Sequence, residues 1–209
     1  MQTVDVIPLT SAQADEAFAL ATSVFIEGST LHKALGITLS EYRAYLRPSF
    51  DAMVSKNLSV AAIDRSSNEV LGCMIATDLH GQINAPETQD PKFAPLTALT
   101  QDLCREYVEL FPPKPGETVL VDMAAVSTST RGGGLYKRMR AKTHQIAKSR
   151  GFTFVVGELS SSATQHVILN HFRHQVISEI RFTEFEVNGT FPFAGITTPP
   201  SIVLARGTL

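Results

Sequence analysis

The chain has 209 residues, of which 44% are hydrophobic and 18% are charged, and its formal net charge at pH 7 is −2. This composition is typical of a globular protein rather than a disordered one, and the lack of a basic excess disfavours a general nucleic-acid binder. No apolar run reaches the roughly 18 residues of a membrane span, and the N-terminal residues lack the pattern of a signal peptide.

Length and cysteine content favour one cytoplasmic domain. A chain of 209 residues is long enough to bury its own core, so we predict a single domain over residues 1–209. Cys73 and Cys104 are too few for a disulfide framework or a four-thiolate zinc site. We expect free thiols in a cytoplasmic protein, and a single Cys73–Cys104 disulfide is the open alternative.

Apolar periodicity and turn residues predict the secondary structure in chain order. The N-terminal half is predicted to form a strand at 3–9, helices at 12–25 and 40–55, and a hairpin of strands at 58–63 and 70–77. The remainder is predicted to form a loop at 80–91, a helix at 93–111, a buried strand at 118–126, a loop at 127–134, a helix at 135–149, a strand at 152–156, a helix at 163–172, and strands at 176–185 and 201–205. This order indicates an α/β domain with a mixed sheet.

A glycine-rich loop is the most informative feature of the sequence. Residues 131–134 (Arg-Gly-Gly-Gly) follow a buried strand and directly precede a helix. Glycines let backbone N–H groups approach a ligand, and a helix N-terminus offers unpaired N–H groups and a positive dipole end. The pattern suits a pyrophosphate, or it is a plain strand-to-helix turn. The P-loop and G-x-G-x-x-G motifs are both absent, which disfavours NTP hydrolysis and hydride transfer.

The residues around this loop resemble a known family. The run Val126-x-x-x-x-Arg131-x-x-Gly134 is similar to the acetyl-CoA signature of the GNAT acetyltransferases, V-x-x-x-x-Q/R-x-x-G-x-G/A, except that its last position is Tyr136. Residues 24–31 are similar to the F-x-x-G/D-E-P-L segment of arylalkylamine N-acetyltransferases, and residues 177–185 to their I-x-Y-x-D/E-Y strand. The resemblance implies the GNAT acyl-CoA N-acyltransferase fold, which is α/β with a mixed, mostly antiparallel, splayed sheet flanked by helices.

The resemblance also implies acetyl-CoA as cosubstrate and no metal. In the family, the strand before the loop splays from its neighbour, and its backbone pairs with the pantetheine arm and stabilises the oxyanion. The small Ala124 and Ala125 would leave room for the arm, or they pack in the core. Asn170 stands where the family often contacts the cofactor, or it caps a helix. The implied cofactor-binding residues are Met123, Ala124, Ala125, Val126, Arg131, Gly132, Gly133, Gly134, Leu135, Tyr136 and Asn170.

Basic residues follow the loop on the helix at 135–149. Most of them are expected on a solvated face, although Lys137 and Arg138, nearest the loop, are candidates for attracting the polyanionic cofactor. A nucleic-acid patch is a third interpretation, which the net negative charge disfavours. The basic residues concerned are Lys137, Arg138, Arg140, Lys142, Lys148 and Arg150.

Amine acetylation needs a base for the amine proton and stabilisation of the departing thiolate. The family's usual first-region glutamate aligns with Ser29, so Glu27 is the first candidate base, unless it is an exposed helix-end carboxylate. Glu158, just past a buried strand, is the second candidate, unless it caps the turn that follows. Asp122, inside an apolar run, is either a site residue or a paired structural one.

The tyrosine that many GNAT enzymes use as the acid is missing between residues 159 and 174. We predict that Ser162 serves in a serine proton relay similar to that of some arylalkylamine acetyltransferases. The other local candidates are Ser160, Ser161, His166, Asn170 and His171. The histidine spacing in this region does not indicate a zinc site.

The sequence therefore predicts an enzyme that transfers an acetyl group from acetyl-CoA to a small primary amine, such as an arylalkylamine, by direct attack. The alternatives are a peptide or other amine acceptor, and a catalytically silent acyl-CoA-binding or regulatory module. The predicted partners are a small-molecule amine, no nucleic acid and no membrane, in a monomer or homodimer. Five aromatic residues either line the amine pocket or belong to the core: Phe25, Phe182, Phe185, Phe191 and Phe193.

Overall fold

A computed structural model describes residues 3–83, 90–130 and 132–209 of the chain. Seven strands form one sheet in the order β1-β2-β3-β4-β5-β7-β6, and only β4 and β5 run parallel to each other. The sheet is therefore mixed and mostly antiparallel, as predicted. The strands are β1 (Val4–Pro8), β2 (Val60–Asp64), β3 (Val70–Asp78), β4 (Thr118–Val126), β5 (Phe154–Leu159), β6 (Gln175–Arg181) and β7 (Ser201–Thr208).

Seven α-helices flank the sheet in the described ranges, and a π-helical turn extends the last of them. Capping boxes begin two helices, in which Thr10 pairs with Gln13 and Thr38 pairs with Glu41. None of the helices in the described part of the chain is long and apolar enough to cross a bilayer. The helices are α1 (Ser11–Gly28), α2 (Thr30–Ala34), α3 (Leu39–Val54), α4 (Leu79–Ile83), α5 (Ala94–Leu110), α6 (Leu135–Ser149) and α7 (Ser162–Gln165), with the π-helical turn at His166–His171.

The secondary structure differs from the sequence predictions at several points. The short helices α2 and α4 were not expected, and α4 occupies the start of the predicted loop at 80–91, whose residues 84–89 lie outside the described chain. Strand β5 continues to Leu159 because β7 pairs with it over its whole length. Strand β6 ends at Arg181, where a turn begins. Both cysteines are free, which excludes the Cys73–Cys104 disulfide in this structure.

The contacts of alternating side chains in β4 and β5 show which helices cover each face of the sheet. Leu120 and Val156 pack in a cluster with residues of α5, whereas Val121 and Val155 pack in a cluster with α6. Helices α1 and α3 pack on the α5 side, against Met123 of β4. Helices α1, α3 and α5 therefore cover one face, and α6 covers the other.

The parallel strands β4 and β5 separate near the middle of the sheet. They pair only from Thr118 to Leu120 of β4 and from Phe154 to Val156 of β5. Beyond this point, in the part of the chain that the structure describes, β4 pairs only with β3, and β5 pairs only with β7. We call the resulting gap, between residues 121–126 of β4 and 157–159 of β5, the split. It is the splayed geometry that the family resemblance implies.

Candidate functional site

A β-bulge places one carboxylate at the start of the split. Ile75 of β3 pairs with Met123 and Ala76 pairs with Val121, so Asp122 is an extra residue in β4. A bulge re-aims the side chain of the extra residue. Asp122 consequently borders the same cavities as Glu158 of β5, on the α5 side of the sheet.

Two adjoining cavities meet at these carboxylates. The first cavity has a volume of about 490 Å³ and is bordered by α1, α2, α3, α6 and the residues leading into α7. The second cavity, of about 670 Å³, lies between α3, α4 and α5. Asp122 and Glu158 line both cavities. The volumes lie in the range of small-molecule sites, about 300–1,000 Å³.

Desolvation by the surrounding protein raises the proton affinity of both carboxylates, although Asp122 is exposed and Glu158 is partly buried. Desolvation, reinforced by the charge of Asp122, raises the pKa of Glu158 to about 7, although a hydrogen bond from Cys104 Sγ to Glu158 Oε1 (3.6 Å) opposes the rise. Desolvation raises the pKa of Asp122 to about 6. Among the described residues neither carboxylate forms an ion pair. Glu158 is therefore suited to exchange a proton near neutral pH.

The glycine loop is open and its helix end is uncapped. Gly132 and Gly134 have φ values of +82° and +72°, and a Cβ added at either would have no atom of the described residues within 4 Å, apart from its chain neighbours. Gly134 is the N-cap of α6, and among the described residues no side chain accepts a hydrogen bond from the first turn. These N–H groups and the open space fit a pyrophosphate. Arg131 lies outside the described residues.

The residues that follow the loop pack differently from one another. Leu135, the first residue of α6, is buried in the cluster between this helix and the sheet. The ring of Tyr136, the departure from the family signature, is partly buried and lines the first cavity. Gly133 is exposed between its two neighbouring glycines. The tyrosine therefore forms part of the cavity wall.

The end of β4 alternates between the cavity and the core. Met123 and Ala124 line the first cavity. Ala125 is 1% exposed, packs in the cluster of α1 and α3, and pairs with Cys73 of β3. Val126 is partly buried beside α6. Of the two alanines, Ala124 alone faces the cavity, and Ala125 packs in the core.

The predicted catalytic residues do not all come together. Glu158 lines both cavities, and Ser162, the first residue of α7, lines the first cavity with Ser160 and Ser161. Glu27 is exposed near the end of α1 and borders neither cavity.

Asn170 also lies apart from the cavities. It is exposed on the π-helical turn, where its Nδ2 lies 3.0 Å from His166 Nδ1. A contact with the cofactor stays a prediction for this residue.

The aromatic wall of the first cavity differs from the predicted one. Phe25 lines it, together with His32 and Tyr42, whose rings pack edge to face with centroids 4.5 Å apart. The other predicted phenylalanines lie elsewhere. Three are buried in the α5 cluster and one is half exposed: Phe182, Phe185, Phe193 and Phe191.

Sequence reasoning missed Arg140. We expected it on a solvated helix face, but its side chain is 1% exposed and lines the first cavity. It follows Tyr136 by one helical turn and lies on the buried face of α6 with Met139 and Thr143. This spacing was the available signal, because residues four apart share a helix face.

No group of three His, Cys, Asp or Glu side chains in the described ranges could hold a metal ion. Among protein-family models and curated proteins, none matches the sequence.

Solved structures nevertheless match the whole chain. One is the C-terminal condensation domain of Ebony in complex with beta-alanyl-dopamine, with a TM-score of 0.88, 15% identity and 100% coverage of both chains. Arylalkylamine N-acetyltransferase 2 from Aedes aegypti has a TM-score of 0.79 at 20% identity and 99% coverage of both chains. Mosquito arylalkylamine N-acetyltransferase like 5b has a TM-score of 0.82 at 16% identity, covering 99% of this chain and 100% of that one. The chain therefore has the GNAT fold, and the fold prediction made from the sequence is confirmed.

Proposed function

We propose that this protein is an N-acetyltransferase that moves an acetyl group from acetyl-CoA to a small primary amine. One observation carries the proposal: the split and a carboxylate of raised pKa border the same cavities, and the open glycine loop leads directly into Tyr136, which lines the first cavity. The loop and the split suit a thioester donor, the cavities suit an amine acceptor, and the carboxylate suits a proton acceptor.

The donor is assigned to the loop and the split. Backbone N–H groups of residues 132–136 would hold the pyrophosphate, and the unpaired edge of β4 at Met123 and Ala124 would receive the pantetheine arm. A backbone N–H at this edge would also stabilise the oxyanion. Arg131, Ala125, Val126 and Asn170 stay predicted contacts whose side chains are outside the described chain or away from the cavity.

Glu158 is assigned as the base. The amine nitrogen attacks the thioester carbon, a C–N bond forms, and the proton released by the amine passes to Glu158, directly or through water. The C–S bond then breaks, and its electron pair leaves with the sulfur. Ser162 stays a candidate for relaying a proton, because it borders the same cavity. Glu27 is not given a role, because it is exposed and borders neither cavity.

The size of the cavities supports a small acceptor. Volumes of about 490 and 670 Å³ suit a metabolite better than an extended peptide. Similar solved structures include two arylalkylamine N-acetyltransferases and a domain bound to beta-alanyl-dopamine. An arylalkylamine is accordingly the first acceptor class to test, with peptides and polyamines as comparisons.

Calorimetric titration with acetyl-CoA tests the donor site. We expect micromolar affinity for acetyl-CoA and none for ATP or NAD. Gly134→Glu should abolish binding, since bulk and negative charge enter the phosphate loop. Gly134→Ala is the matched control, because it imposes the same backbone strain at φ +72° without the charge. Equal affinity in the wild type and Gly134→Glu would reject this site.

An amine panel then tests the reaction. Release of free CoA in the presence of tyramine, serotonin or a polyamine would support the enzyme. A protein that binds acetyl-CoA but releases no CoA with any amine or peptide would be the silent acyl-CoA-binding module instead.

A further inference from the structure

Arg140 occupies the split from the face opposite the carboxylates. Both terminal nitrogens of its guanidinium lie 3.7 Å from the position that a Cβ at Gly157 would take. Gly157 is the first residue of β5 beyond the paired segment. Its neighbour Glu158 points to the α5 side, where Cys104 contacts it. The guanidinium and the Glu158 carboxylate therefore approach the same gap from opposite faces of the sheet.

The charge of Arg140 has no counter-ion in the described part of the chain. The side chain is 1% exposed, and its Nη2 is buried without a hydrogen-bond partner among the described residues. No carboxylate in the described ranges forms an ion pair with it. A buried, uncompensated cation costs several kcal/mol of stability. Such a cost is explained if an anion occupies the cavity during function.

The protein groups that contact Arg140 leave its charge uncompensated. Its Nε donates to His144 Nε2 at 2.9 Å, so this nitrogen of His144 is an acceptor. Burial, together with the charge of Arg140, lowers the pKa of His144 to about 3 and that of His174 to about 4. Tyr136, one turn earlier, keeps its proton because burial raises its pKa. Burial lowers the pKa of Arg140 to about 10, so at neutral pH the guanidinium is positively charged among neutral neighbours.

We propose that the Arg140 guanidinium stabilises the thiolate that leaves when the acyl group is transferred. This inference rests on the proposed function. When the C–S bond breaks, its electron pair becomes a negative charge on sulfur, and the Nη2 of Arg140 is a free donor beside the split. The amine proton meanwhile passes to Glu158 on the other face. Arg140 would thus stabilise the leaving sulfur by its charge, whereas the helix tyrosine that this chain lacks would do so by donating a proton.

The thiol of bound CoA reports on this contact without turnover. The thiol of free cysteine has a pKa near 8.5, and an adjacent arginine lowers the pKa of a thiol by about one unit or more. The thiolate absorbs in the ultraviolet, so a pH titration of the protein–CoA complex measures the pKa directly. We expect the proton affinity of the CoA thiol to fall at least tenfold on binding to the wild type, which lowers its pKa by at least about one unit. In Arg140→Met the pKa of the bound thiol should return to that of free CoA.

Two further variants make the test specific. Lys148→Met removes a positive charge from the exposed end of α6 and should leave the thiol pKa of bound CoA lowered, as in the wild type. Arg140→Lys keeps the charge and should retain part of the lowering. In turnover, Arg140→Met should reduce kcat by about 100-fold with acetyl-CoA. The loss should be smaller with an acetyl thioester of an aromatic thiol, whose leaving group is more acidic.

The outcomes separate this inference from the proposed function. If CoA binds and amines are acetylated, but the thiol pKa of CoA is the same when bound to the wild type as in solution, the role of Arg140 is refuted and the enzyme stands. This comparison needs only the wild type, so it remains decisive if Arg140→Met does not fold. If CoA does not bind to the folded wild type, the proposed function fails and the role of Arg140 fails with it.

Discussion

Replacing Glu158 by glutamine should change how the stability of the protein depends on pH. The pKa of Glu158 rises from its ordinary value of 4.5 to about 7 in the folded protein, mainly because the carboxyl group is desolvated. The folded state then binds this proton more tightly than the unfolded chain does. The free energy of unfolding of the wild type therefore falls as the pH rises from 4.5 to about 7, and stays low above it.

The size of this effect follows from the same shift in pKa. A rise to about 7 corresponds to about 3 kcal/mol, and access of solvent through the cavities reduces this to about 2 kcal/mol. Glutamine cannot ionise, so the variant lacks this fall. The free energy of unfolding of Glu158→Gln, relative to that of the wild type, should therefore increase by about 2 kcal/mol between pH 4.5 and about pH 8.

Urea unfolding of both proteins at several pH values measures this difference. Glu106→Gln, on the exposed side of α5, is the control for the chemical change and should follow the wild type. The desolvation of Asp122 is common to the wild type and the variant, whereas the effect of its charge on Glu158 is part of the difference that is measured. A difference between Glu158→Gln and the wild type that does not vary with pH would show that Glu158 is not desolvated, and the reasoning about the base would fail with it.

Two further predictions concern the base and the packing under the sheet. The kcat/KM of the wild type should rise with pH to a plateau above about 7. In Glu158→Gln, kcat/KM should no longer rise with pH and should be at least about 100-fold lower. Steady-state kinetics with acetyl-CoA and the best amine of the panel would measure both effects, and an unchanged pH profile in the variant would assign the base elsewhere. Gly207→Ala should destabilise the fold by about 1–3 kcal/mol, because a Cβ there would overlap the buried imidazole of His174. Thermal unfolding measures this loss, and Gly195→Ala is the control, because a Cβ there would meet no atom of the described residues within 4 Å. Equal unfolding temperatures for the two variants would show that the His174 ring moves aside at little cost.

Some of the site could be predicted because its signals are local. The glycines of residues 132–134 directly precede the basic amphipathic helix α6, and the apolar run of β4 precedes them. Spacing along the chain is sufficient to recognise such a strand–loop–helix unit. Glu158 was selected in the same way, from its place after the apolar residues of a central strand, although that strand continues one residue beyond it.

The remaining features depend on contacts between distant segments. The bulge at Asp122 exists only in the register of β4 against β3, so the sequence of β4 alone left Asp122 as either a site residue or a paired one. Arg140 carries the same charge as the exposed residues of α6. Its burial follows from the packing of α6 over Gly157, where the missing side chain leaves room for the guanidinium.

The sequence by itself therefore determined the order of the strands and longer helices and the glycine loop, because each rests on a pattern within one continuous segment, and the family resemblance of three segments implied the fold. The tertiary structure decided which polar groups share the cavity, and from which face of the sheet each one enters it. It brought Asp122 and Glu158 together and set Arg140 opposite them, while it left Glu27 on the surface. The physical reason is that strand pairing and helix packing between distant segments set how deeply each side chain is buried. Burial then shifts the pKa of the side chain and so its charge state.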